Sequence, residues 1–142
     1  MQKIILDTNV VVSALISNSF PTFILYDLVL TRKVYICLSD SILSEYIGVL
    51  KRDKFDRFPD FRPKADVVIN KMREISLFYS NTPKVELLLD ASDDKFLELA
   101  IASAADYLIT GNTSDFKIPQ FENTIIITPR EYWDNYKPIH TG

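Results

Sequence analysis

The residues best suited to do chemistry together are four acids spread along the chain: Asp7, Glu45, Asp94 and Asp115. Asp7 ends the apolar run Ile4-Ile5-Leu6, which reads as a short buried strand, and Asp7-Thr8-Asn9 then opens a helix through Val11, Leu15 and Ile16. Asp115 likewise follows an apolar strand, Tyr107-Leu108-Ile109-Thr110, in the polar turn from Gly111 to Phe116. Open α/β sheets bind ligands at that carboxyl edge. Glu45 stands in a helical row that is otherwise apolar, between Ile42 and Val49, and Asp94 opens a helix whose row continues through Leu97 and Ile101. Four carboxylates held within about 7 Å of one another repel by roughly 2 kcal/mol per ionised pair at an effective dielectric near 20, so such a cluster calls for a divalent cation. All-oxygen ligands favour Mg²⁺ or Mn²⁺, and one or two such ions suit in-line attack of water on a phosphodiester.

Each acid also has a plainer use. Asp7 can simply cap the helix that follows it. A glutamate at the edge of an apolar stripe can reach solvent, whereas a buried one requires a cation, a metal or a cleft. Asp93 and Asp94 complement the dipole of a helix that Ser92 would cap, and a different helix start would put Asp93 or Asp90 in the place of Asp94.

Composition narrows the chemistry further. With 142 residues, 47% hydrophobic and 25% charged, the chain is expected to form a single domain over residues 1–142. No apolar run approaches the roughly 20 residues of a membrane span. Met1-Gln2-Lys3 leads straight into a strand without a small-residue cleavage site, so a cytoplasmic protein without a membrane partner is expected. The single cysteine, Cys37, lies in the apolar run Val34 to Leu38 and reads as a core residue, which removes disulfides and zinc–thiolate sites. The lone histidine, His140, is third from the end, where chains fray, so Ser-His-Asp and Cys-His chemistries are disfavoured. Carboxylates, hydroxyls, lysines or an oxygen-ligated metal remain.

The elements that must position these acids alternate between strand and helix, which predicts an α/β sandwich with a mostly parallel sheet. After the first helix, Pro21 opens a second through about Thr31, followed by a strand from Val34 to Leu38. Ser39 or Asp40 caps a helix from Ile42 to about Arg52 that carries Glu45, and Pro63 can open another reaching about Glu74. Ile75 to Tyr79 reads as a strand or extended connection, and Val85 to Asp90 is ambiguous between strand and loop. The last strand is Thr124 to Ile127, and the capping box Thr128-Pro129-Arg130-Glu131 starts a terminal helix to about Tyr136.

Charge is unevenly spread. From Lys51 to Glu74 lie eight of the sixteen basic residues against five acids, a local excess of about three positive charges in a chain whose net charge is −3. Phe55, Phe58 and Phe61 are interleaved with them. A basic segment with exposed aromatics suits phosphate contact and base stacking, with Lys51, Arg52 and Lys54 as the substrate-gripping candidates. The alternative is a solvated helix–loop–helix whose phenylalanines pack inward.

Taken together, the motifs resemble those of the PIN-domain nucleases and, within them, the VapC-like toxin components of toxin–antitoxin pairs. The matching pieces are Leu6-Asp7-Thr8-Asn9-Val10 with Ser13, Leu43-Ser44-Glu45-Tyr46 with Val49-Leu50, Asp93-Asp94-Lys95-Phe96-Leu97 with Ala100, and Tyr107 to Asn112 with Asp115-Phe116. The resemblance implies a PIN-like three-layer α/β/α sandwich with about five strands and an endoribonuclease dependent on Mg²⁺ or Mn²⁺. It implies RNA as substrate, a cognate antitoxin as partner and a homodimer or higher homo-oligomer. By motif position Asp7, Glu45 and Asp94 match the principal acids and Asp115 a more variable fourth, while Asn9 and Thr110 match polar residues that orient carboxylates or phosphate. Asn112 stands where many relatives have an acid.

Two other classes compete with this reading. One is a catalytically silent PIN-like module that binds RNA or a partner. The other is a phosphatase with Asp7 as nucleophile, although such enzymes want a second acid where Asn9 stands.

Overall fold

The computed structural model describes residues 1–88, 91–113, 116 and 118–139, the side chain of residue 91 excepted. Its centre is β1 (Lys3–Leu6), in which Ile4, Ile5 and Leu6 are each wholly buried. Successive side chains of a strand face opposite sides of the sheet, so both faces of β1 are covered, as expected for a parallel sheet with helices on either side.

Among the described residues the sheet has six strands, in the order β3-β2-β1-β4-β6-β5. These are β2 (Tyr35–Leu38), β3 (Leu77–Phe78), β4 (Tyr107–Ile109), β5 (Gln120–Phe121) and β6 (Thr124–Ile127). All neighbouring pairs are parallel except β5 with β6. The chain steps outward from β1 to β2 and β3, then returns to the other side of β1 at β4. Its winding therefore reverses between β1 and β4, the place where open α/β sheets bind ligands at the carboxyl ends of their strands.

Among the described residues six α-helices surround the sheet: α1 (Thr8–Ile16), α2 (Phe20–Phe23), α3 (Asp40–Leu50), α4 (Phe61–Ile75), α5 (Asp94–Ser103) and α6 (Pro129–Glu131). Of these, α2 continues into π-helical turns over Ile24–Val29, and α6 into others over Tyr132–Tyr136. Ser39 caps α3 by accepting from the Ile42 amide, and Thr128 caps α6 by accepting from that of Glu131, as the sequence predicts. No single helix among the described residues is long and apolar enough to cross a membrane.

Some expectations change. Helix α4 begins at Phe61, two residues before Pro63, because Asp60 turns the chain in the left-handed region (φ 59°) and Pro63 still falls within the first turn, where its missing N–H costs nothing. Ser92 is not the cap of α5; a 3-10 turn over Ala91–Asp93 precedes it. The stretch from Val85 to Leu88 is neither strand nor helix. The short hairpin strand β5 is additional to the strands read from the sequence.

Candidate active site

Asp7 leaves β1 with extended backbone and occupies the position before α1, yet its side chain makes no capping hydrogen bond there. The carboxylate turns towards the sheet instead. Its Oδ2 accepts from the Thr110 hydroxyl at 2.7 Å, and the Asp7 amide donates to the Ile109 carbonyl at 2.9 Å. The Thr110 oxygen in turn accepts from the Asn112 amide at 3.1 Å. The capping alternative for Asp7 is thus set aside: the ends of β1 and β4 hold this acid, 7% exposed, at the point where the winding reverses.

Glu45 resolves its burial with a cation. Lys95 donates to Oε1 at 2.7 Å, and the Thr8 hydroxyl donates to Oε2. Thr8 adjoins Asp7 and Lys95 adjoins Asp94, so one carboxylate on α3 draws the start of α1 and the start of α5 together. The next residue, Tyr46, is fully buried and donates its hydroxyl to the Leu6 carbonyl, pinning α3 to the end of β1. Burial first, then the nearby charges of Asp7 and Glu45, hold that hydroxyl well above the ordinary tyrosine range, so it remains a donor.

Asp94 is the first residue of α5 and 5% exposed. Its Oδ1 accepts from the amides of Leu87 at 3.3 Å and Leu88 at 2.9 Å, so the acid fastens the irregular segment before α5. Glu98, one turn later, accepts from the Val85 amide at 2.9 Å and fastens the same segment further back.

The structure joins Asp7 to Thr110 across the carboxyl ends of β1 and β4 and ties Glu45 to Thr8 and Lys95, the residues adjoining Asp7 and Asp94. Asn112 joins Thr110 through its backbone. Asn9 is exposed on the first turn of α1, and Asp115 lies outside the described residues. Lys51, Arg52 and Lys54 are exposed beyond the far end of α3. Phe55 and Phe61 are buried and stack with ring centroids 4.9 Å apart, while Phe58 is half-buried under the Arg57 guanidinium. The stretch therefore offers no exposed phenylalanine platform for bases. Its basic groups are also partly engaged, with Arg62 donating to Asp56 at 2.6 Å.

Three contributors were not singled out from sequence: Thr8, Tyr46 and Lys95. The requirement of Glu45 for a cation was the signal that could have found Lys95, since that lysine shares the first turn of the helix that Asp94 opens.

Among the described residues no three His, Cys, Asp or Glu side chains come close enough to hold a metal ion by themselves. The donor chemistry nevertheless fits a hard divalent cation: Asp7 and Asp94 are buried carboxylates oriented by hydroxyl and amide donors, an all-oxygen set of the kind Mg²⁺ and Mn²⁺ take.

Residues 3–114 match the PIN domain. The sequence is 30% identical over 111 residues to the uncharacterized protein MJ1680 of Methanocaldococcus jannaschii, covering 78% of this chain and 70% of that protein. In fold, the chain is similar to the structure of VapBC2 from Rickettsia felis bound to a DNA fragment from its promoter, with a TM-score of 0.59, 20% identity, and coverage of 89% of this chain and 98% of that one. It is also similar to FitAB bound to a DNA fragment, with a TM-score of 0.56, 18% identity, and coverage of 89% and 94%.

Proposed function

The chain belongs to the PIN-domain family, and on that premise we propose that it is an Mg²⁺- or Mn²⁺-dependent endoribonuclease acting as the toxin of a toxin–antitoxin pair. The observation that carries this reading is the bridge through Glu45. By binding Thr8 and Lys95 with its two oxygens, it ties together the residues that adjoin Asp7 and Asp94, beside the reversal point of the sheet.

In this reading Asp7 and Asp94 hold the cation, with Asp115 as a further acid. The cation, when bound, lowers the pKa of attacking water and offsets charge on the phosphate. Thr110 fixes the orientation of Asp7, and the Leu87 and Leu88 amides fix that of Asp94, so each carboxylate presents a defined oxygen without reorganising. In the same reading Lys51, Arg52 and Lys54, exposed beyond the far end of α3, grip phosphates as charges, not as stacking platforms. A cognate antitoxin and a homo-oligomeric state complete the proposal, in keeping with the VapC-like motifs.

The deciding experiment measures cleavage of a mixed single-stranded RNA with Mg²⁺ or Mn²⁺, with a chelator, and with Asp7→Asn. Cleavage that needs the metal and disappears in Asp7→Asn is expected. Metal binding without cleavage of any RNA would instead favour the silent binding module. Calorimetry should also show metal binding greatly weakened in Asp7→Ala and Asp94→Ala, and undiminished binding in both would remove these residues from the site.

A further inference from the structure

Where α4 meets α3, it presents a stripe of mixed polarity. Arg62, Ala65, Asp66, Ile69, Asn70 and Arg73 recur at the three- and four-residue spacing that keeps side chains on one side of a helix. Across from them stand Ile47, Leu50 and Lys51 at the end of α3, and the two sets line a cavity of about 400 Å³. Its floor is apolar, for Leu50, Ala65 and Ile69 are buried and Ile47 is half-buried. Its rim is polar, with Lys51, Arg62, Asp66, Asn70 and Arg73 all exposed. An apolar floor with a few polar groups around it suits a small organic group, and pockets of that kind run from about 300 to 1,000 Å³.

The rim groups differ in what already holds them. Arg62 donates to Asp56 at 2.6 Å and to the Lys51 carbonyl at 3.4 Å, which ties the start of α4 to the end of α3. Among the described residues no ion pair engages Lys51 or Arg73, and no hydrogen bond engages the side chains of Asp66 or Asn70. Cations beside an apolar floor complement the phosphates and the base of a nucleotide. Asp66 repels the carboxylates of an acidic peptide but suits a base edge, because an ionised carboxylate only accepts hydrogen bonds and therefore demands N–H groups. Asn70, one turn further along α4, adds an amide that both donates and accepts. Guanine, adenine and cytosine carry an exocyclic amine on their pairing edge, whereas uracil flanks its single N–H with carbonyl oxygens. Guanine presents adjacent N–H donors there, which match the two oxygens of a carboxylate.

We propose that this cavity takes one unstacked nucleotide of single-stranded RNA and selects amine-bearing bases, guanine foremost, over uracil. The base lies on the apolar floor with its pairing edge at Asp66 and Asn70, while Lys51 and Arg73 hold the flanking phosphates. This rests on the RNA-directed reading above. It supplies what the packed phenylalanines nearby do not, a place for a base.

The test measures binding without cleavage. Fluorescence anisotropy with the full chain, in the presence of a chelator, compares an all-uridine RNA heptamer with heptamers carrying guanosine, adenosine or cytidine at the centre. Each amine-bearing heptamer should bind more tightly than all-uridine RNA, the guanosine one by about tenfold, within the discrimination that one paired contact to a base provides. Asp66→Ala should erase the preference. Lys51→Ala with Arg73→Ala should keep it, weaken all four heptamers alike and flatten the dependence of log affinity on log salt by about 1.4, about 0.7 for each lost contact with a single strand. All three positions are exposed, so the variants should stay folded. Equal affinity for the four heptamers, a preference that survives Asp66→Ala, or an unchanged salt slope in the double variant would overturn the inference while leaving the RNA-directed reading intact. Hexaglutamate that displaces the guanosine heptamer as well as unlabelled heptamer does would overturn it too, by showing a site for acidic peptides. Binding of none of the heptamers would overturn both.

Discussion

The Thr110 hydroxyl donates to Asp7 Oδ2 over 2.7 Å, linking the ends of two adjacent parallel strands. A buried carboxylate held this way has one orientation, and partners of a metal ligand commonly contribute 10–100-fold to metal affinity or activity. Thr110→Val keeps the β-branched shape and removes the donor. It should lower Mn²⁺ affinity by about tenfold or more in a calorimetric titration while the fold is retained. Unchanged affinity in a folded Thr110→Val protein would mean that Asp7 is oriented by something else.

Tyr46→Phe addresses the other constraint on the same strand end. The tyrosine is fully buried and its hydroxyl donates to the Leu6 carbonyl, the residue before Asp7. Leaving a buried carbonyl without its partner costs about 1–3 kcal/mol. The variant should unfold at a correspondingly lower urea midpoint, with little change in the slope of the transition. A midpoint equal to wild type would show that the bond contributes nothing net.

Much of this arrangement was legible in the sequence, for reasons that differ by residue. Asp7 follows the apolar run Ile4-Ile5-Leu6, and that local pattern alone places it at the sheet edge. Whether it caps α1 or turns towards the sheet is settled by Thr110, 103 residues away, which no local pattern reports. Glu45, standing in an apolar row, called for a cation, a metal or a cleft unless it reached solvent, and the choice of Lys95 depends on how α5 packs against α3. The strand β5 was missed because its turn, Glu122-Asn123, lacks the glycine that marks tight hairpins, although Glu122 takes the positive φ (53°) such turns use. The three phenylalanines near residue 58 lie among prolines and a 3-10 turn, where no steady period shows which side faces in. The π-helical turns after α2 and α6 bury residues at spacings that an ordinary helical pattern also fits.

Cys37 gives a prediction about pH. Burial, the largest influence, pushes its thiol from 9.0 up to about 11. The folded protein therefore holds this proton more tightly than the unfolded chain, so its contribution is complete below about pH 9 and is lost as pH rises from there towards 11. Wild type should lose stability relative to Cys37→Ala across that interval in urea titrations, and a thiol reagent at about pH 8 should leave the native cysteine unmodified. Parallel pH profiles for the two proteins would contradict the shift.

The basic segment can be tested through salt. Lys51, Arg52 and Lys54 are exposed, and among the described residues none of them joins an ion pair, so their charges are open to a polyanion. Reversing all three to glutamate should weaken RNA binding. It should also flatten the dependence of log affinity on log salt by about 2, since each lost contact with a single strand removes about 0.7 from the slope. Folding should change by only about 0.5 kcal/mol per substitution, the usual range for surface positions, with a similar loss where Lys54 lies 5.2 Å from the Phe55 ring. The slope separates two kinds of loss: a variant that binds weakly with the original slope has been damaged without losing phosphate contacts. If affinity and slope both stay at wild-type values in a folded protein, this end of α3 is a solvated arm. The RNA path would then run past the turn from Gly111 to Thr113, beside Thr110 and the acids.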